Sequence, residues 1–280
     1  MESECYQRLQ PIISTFPHLH QFLDDDFIRT QCEGGLKCYF LEYLANEESR
    51  YKPYQYLPTL EKMLAELSSV TGYDRLAYLL RGASDWDGYN EFLAQIDITL
   101  WFKQKSLLKE IEPRLPCSAG VGDILLAFSQ QDIYCEVTSR ESFQKSIESP
   151  KGNKGQRIQN LFKREPWMTQ QDVENEIEID IILRKLLEKT KKQLPSSHPG
   201  ILAFDAGKGW VFHHQVERVA KKLFPQRLQL MLVMLWTSER GSQIGEPPFW
   251  FVNPNPPYQN IGQELLKYLG QDNKVLDCRE

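Results

Sequence analysis

At 280 residues, 41% hydrophobic and 25% charged, the chain has the composition of a soluble globular protein with enough length for one large domain or two smaller ones. Its net charge of −5 argues against a protein that coats nucleic acid without specificity, and no apolar run approaches the roughly 20 residues that span a bilayer. The start, Met1-Glu-Ser-Glu-Cys-Tyr6, is acidic and lacks a signal-peptide core. Six cysteines without Cys-x-x-Cys spacing read as free thiols of a reducing compartment, with the cytoplasm as the expected location.

Residues 1–85 show no strand alternation and read as a helical region. In Thr59-Leu-Glu-Lys-Met-Leu-Ala-Glu-Leu67, Leu60, Met63, Leu64 and Leu67 recur at i, i+3, i+4 and i+7. The stretch Gly82-Ala-Ser-Asp-Trp-Asp-Gly88 marks a boundary, with Asp87 or Asn90 available to cap the next helix. Residues 86–280 then read as a helix (90–105), strands at 107–113, 122–128 and 133–138, a charged loop and a long helix (172–193). A strand at 200–205, a helix at 214–223 and strands at 228–236 and 249–253 complete the order. The pattern predicts an α/β fold with a mixed central sheet flanked by helices, antiparallel at its opening hairpin and parallel after Glu136.

The hairpin carries the chemistry. Glu136 lies inside the apolar run Ile133-Tyr-Cys-Glu-Val137, where an acid is costly unless it has a partner or a task. With Ser129-Gln130-Gln131-Asp132 as the turn, position 123 faces 138 and 125 faces 136. Asp123, Glu136 and Thr138 then share one face. Asp123 and Glu136 become diagonal neighbours, about 7–8 Å apart at their backbones, and a one-residue slip of register would separate them.

An acid opening one strand, with Glu-x-Lys on the next, resembles the restriction-endonuclease-like PD-(D/E)xK nuclease superfamily. The family's Pro-Asp corresponds to Gly122-Asp123 and its Glu-x-Lys to Glu136-Val137-Thr138, over about residues 90–255. Gly stands for the Pro, and Thr138 for the catalytic lysine. The resemblance implies a Mg²⁺- or Mn²⁺-dependent nuclease acting on nucleic acid, with DNA expected. Asp123, Glu136 and the Val137 carbonyl would hold the metal, and Thr138 can only hydrogen-bond water or phosphate. Dimers are common among similar nucleases.

Two helices offer further groups. Asp97 falls within the apolar arc of Phe92, Leu93, Ile96, Leu100 and Trp101. The resemblance makes it a supporting acid, with Glu91 the alternative and a structural ion pair the other reading. On the helix over 172–193, Ile182, Leu186, Lys189 and Gln193 follow one stripe. Lys189 either replaces the missing lysine or packs its stem and exposes its ammonium, and Gln193 matches a glutamine that some superfamily members carry.

Lys151, Lys154, Arg157, Lys163 and Arg164 form a basic run that either grips phosphates or is a solvated loop. His18 and His20, like His213 and His214, lack a third metal ligand at recognisable spacing. Asp205-Ala-Gly-Lys-Gly209 reads as a turn and Asn253-Pro-Asn-Pro-Pro257 as a strand terminator, while Trp236, Trp250 and Phe251 read as core. Besides an active nuclease, the residues admit an inactive nuclease fold that binds nucleic acid or a protein. They also admit a structural domain in which Arg140 or Arg157 pairs the two acids.

Overall fold

The computed structural model describes residues 3–46, 56–116, 120–139, 168–205, 213–236, 249–255, 258–272 and 275–276. Arg140 and the basic run from Lys151 to Arg164, Arg157 included, lie outside the described residues. Among the described residues, six α-helices come first: α1 Glu4–Ser14, α2 Pro17–Phe22, α3 Asp25–Gly34, α4 Tyr39–Ala45, α5 Leu57–Leu67 and α6 Leu76–Gly82. The expected α5 stripe is buried at Leu60, Met63, Leu64 and Leu67. His18 and His20 serve this region: His18 Nδ1 lies 2.8 Å from Glu61, and His20 Nε2 lies 3.1 Å from Asp25.

The cysteine reading needs correction. Cys5 and Cys32 form a disulfide that ties α1 to α3, with their Cα atoms 5.7 Å apart. Cys38 and Cys135 are buried free thiols.

Helix α7, Trp86–Gln104, starts where the boundary was expected, but its cap is Asp85, whose side chain accepts from Gly88 N at 2.9 Å. The helix is apolar on two sides. Tyr89, Phe92, Leu93, Ile96 and Leu100 join the core of the helical region, while Ala94, Ile98, Trp101 and Phe102 pack on the sheet. This double burial explains why an arc drawn on one side did not describe it.

The sheet has seven strands in chain order: β1 Leu108–Ile111, β2 Ile124–Phe128, β3 Gln131–Ser139, β4 Gly200–Asp205, β5 Leu230–Trp236, β6 Phe249–Val252 and β7 Val275–Leu276. β1, β2 and β3 are antiparallel, and β3, β4 and β5 run parallel. β6 pairs antiparallel with β5 and parallel with β7. The crossover helices α8, Gln170–Gln193, and α9, His213–Leu223, cover one face. α7 and α10, Gln259–Tyr268, cover the other. Such parallel connections need helices because a tight turn cannot return the chain to the same end.

The hairpin turn is shorter than expected. Ser129 and Gln130 alone form it, at φ 47° and 62°, and Gln131 already pairs with Phe128. Both turn residues occupy the left-handed region, which suits a two-residue hairpin. The register therefore shifts by two, pairing Ile124 with Cys135. A shift of two leaves every side chain on its face, so the alternation survives.

Trp236, Trp250 and Phe251 are buried in the core. Asn253 ends β6 by donating to Leu230 O at 2.7 Å and accepting from Asn255 N at 3.0 Å. Asp205 closes β4, while residues 206–209 and the side chains of His213 and His214 lie outside the described residues.

Candidate active site

The β2–β3 ladder ends at the Ile124–Cys135 pair. Carried on by one residue, the register sets Asp123 opposite Glu136, closer than the diagonal placement. Asp123 Oδ2 accepts from Val137 N at 2.7 Å, and each carboxyl group acts on the titration of the other. Glu136 is fully buried and Asp123 nearly so.

Burial pushes the Glu136 carboxyl well above the usual carboxylate range, and the Asp123 charge pushes it further, while the Lys189 ammonium pulls it down. Burial also raises Asp123, against Lys189 and the Val137 N–H. Two buried carboxyls in contact resist ionising together without a cation to offset them.

Lys189 on α8 supplies that cation. Its Nζ lies 3.0 Å from Glu136 Oε1, donates to Val137 O at 2.7 Å and pairs with Glu91 from α7. Burial opposes its charge, but Glu136, Asp123 and Glu91 together raise its pKa, so it stays an ammonium. One turn on, Gln193 places its amide nitrogen 2.7 Å and 3.2 Å from the two Glu136 oxygens when turned towards the carboxylate. Lys189 therefore reaches the acids instead of running out to water. The buried stripe of Ile182 and Leu186 sets that face of α8 on the sheet.

Of the two acids considered on α7, Glu91 is the one that reaches the cluster, pairing with Lys189, and the face of α7 that meets the acids is that of Glu91 and Gln95. Gln95 Nε2 donates to Asp123 O at 3.3 Å and to Glu112 Oε1 at 2.8 Å. Asp97 lies two residues beyond Gln95, about 200° round the helix, and is directed away from this face. Thr138 keeps the face of Glu136, fully buried beside Phe204 of β4.

Glu112 was not expected. It follows β1 with φ 53°, and its backbone N donates to Asp123 O at 2.9 Å. Burial pushes its carboxyl up to about 7, with Asp123 raising it and Gln95, Arg75 and Lys189 lowering it. Arg75 grips the same turn, reaching Glu110 Oε1 at 2.9 Å, Ile111 O at 3.3 Å and Glu112 O. Nothing in the local pattern Glu112-Pro113 marks this acid. Gln95 did carry a signal, as an amide inside the apolar run Phe92-Leu-Ala-Gln-Ile96.

Compared with protein-family models, curated proteins and solved structures, the chain shows no match.

The donors suit a hard divalent cation, since Asp123, Glu136 and Val137 O offer only oxygen. Two of them, Glu136 Oε1 and Val137 O, already converge on one positive charge, that of Lys189. Among the described residues, no three or more His, Cys, Asp and Glu side chains are grouped to hold a metal ion as they stand. The acids are gathered around an ammonium instead. No described helix is long and apolar enough to cross a membrane.

Proposed function

We propose that the chain is a metal-dependent nuclease that hydrolyses phosphodiester bonds, with DNA as the expected substrate, on a restriction-endonuclease-like core. The observation that carries this reading is the Lys189 ammonium 3.0 Å from Glu136 Oε1, which supplies from a helix the charge that Thr138 lacks. Asp123, Glu136 and the Val137 carbonyl would hold Mg²⁺ or Mn²⁺, whose charge acidifies water and offsets that on the phosphate. Lys189 orients the attacking water or neutralises a phosphate oxygen. Gln193 and Glu91 hold Glu136 and Lys189 in place, and Glu112 with Gln95 fixes the Asp123 backbone.

A second reading, an inactive nuclease fold that binds nucleic acid or a protein, draws on the same ammonium, which already satisfies Glu136 and Val137 O. Incubation of end-labelled DNA and RNA oligonucleotides with Mg²⁺ or Mn²⁺ separates the two. Metal-dependent cleavage supports the nuclease, and binding without cleavage supports the alternative.

A further inference from the structure

Val137 O and Glu136 Oε1 serve two masters. They are donors for the proposed metal, and both are already engaged by Lys189 Nζ, at 2.7 Å and 3.0 Å. A divalent ion held by the same two oxygens lies in the same space as the ammonium, and like charges do not share it.

Lys189 meets two carboxyl groups directly, Glu91 and Glu136, with Asp123 held beside the second through Val137 N. The oxygens that a divalent ion would need are therefore gathered around the ammonium. Lys189 is not sealed in: its side chain is 22% exposed. A flexible four-carbon stem lets the ammonium move without moving α8.

We propose that Lys189 is a resident cation that closes the site to divalent metal until a phosphodiester draws its ammonium away. Metal and substrate then bind cooperatively, and metal alone binds weakly. This rests on the metal site of the proposed nuclease and deepens it into a form of control: the positive charge that closes the site at rest becomes the one that meets the phosphate.

Isothermal titration with Mn²⁺, without nucleic acid, tests the inference on wild type, Lys189→Met and the double variant Lys189→Met, Glu136→Gln. Lys189→Met is expected to bind Mn²⁺ at least tenfold more tightly than wild type, and the double variant to lose that gain. Equal or weaker binding by Lys189→Met overturns the inference, as does tight binding that survives in the double variant. If Lys189→Met unfolds without metal, Mn²⁺ should restore its near-ultraviolet circular dichroism, and failure to do so counts against the inference. In wild type, dimethyl phosphate should tighten Mn²⁺ binding, and no change contradicts the coupling. None of these readouts uses cleavage. A protein that binds Mn²⁺ as described but cuts no nucleic acid would remove the nuclease reading and leave the closed cation site standing.

Discussion

Lys189 Nζ lies 3.0 Å from Glu136 Oε1, joining the crossover helix α8 to β3, the strand that precedes it. That contact turns a hairpin with two acids into a site with charges of both signs. It also explains how a fully buried Glu136 is tolerated, because an unpaired buried charge costs several kcal/mol.

Asp123→Asn is expected to separate chemistry from folding. The amide oxygen still accepts from Val137 N, as Asp123 Oδ2 does at 2.7 Å, so the thermal midpoint should stay within a few degrees of wild type. Nicking should fall by about 100-fold or more, because a neutral amide holds a divalent ion poorly. Circular dichroism melting beside a nicking assay checks both halves.

Glu112 predicts a pH dependence of stability. Burial pushes its carboxyl from 4.5 up to about 7 in the folded chain. The folded state thus holds this proton more tightly than the unfolded state. Its contribution is fully present below about pH 4.5 and is lost as pH rises through 7. Glu112→Gln keeps an acceptor for Gln95 and removes the titration. The variant should match wild type near pH 4 and exceed it at pH 8 by about 1–2 kcal/mol, a figure reduced for partial exposure. Urea unfolding at the two pH values measures it.

Gly72 carries the contact between the helical region and β1. Its φ is +86°, and a Cβ there would lie 1.9 Å from Ile111 O. Thr71 also bridges Glu110, so Gly72→Ala displaces the turn that Arg75 grips and that holds Asp123 O through Glu112 N. Stability should fall by more than about 2 kcal/mol. Urea unfolding that shows no loss would contradict this packing.

The Cys5–Cys32 bond closes a loop with a sequence separation of 27. Loop-closure entropy puts its contribution at about 3.5 kcal/mol. Reduction, or Cys5→Ser with Cys32→Ser, should lower the melting temperature of the helical region, read by scanning calorimetry with and without reductant.

The element order from α7 to β6 was legible because long periodic helices and apolar strands dominate that part, but α10 and β7 lie beyond the last strand expected, and β6 runs antiparallel to β5 where parallel pairing was expected. α8 even announces itself with Thr169 and Asp172 in a capping box. The hairpin register was harder, since Ser129-Gln130 lacks the Asn-Gly or Asp-Gly signal of a two-residue turn. Asp123 and Glu136 still fell on one face because the error was an even number of residues. Glu91 was weighed below Asp97 because one apolar arc was assumed, whereas α7 is buried on two sides. Glu112 and the disulfide depend on tertiary proximity, which no local period encodes.

The central claim is that Asp123, Glu136 and Lys189 form one metal-dependent hydrolytic site. Nicking of supercoiled plasmid in Mg²⁺ or Mn²⁺ tests it most directly, with wild type beside an identically purified Glu136→Ala variant. The account predicts metal-dependent nicking by wild type and its loss in the variant. Equal nicking by both, or none by a folded wild type, would contradict it.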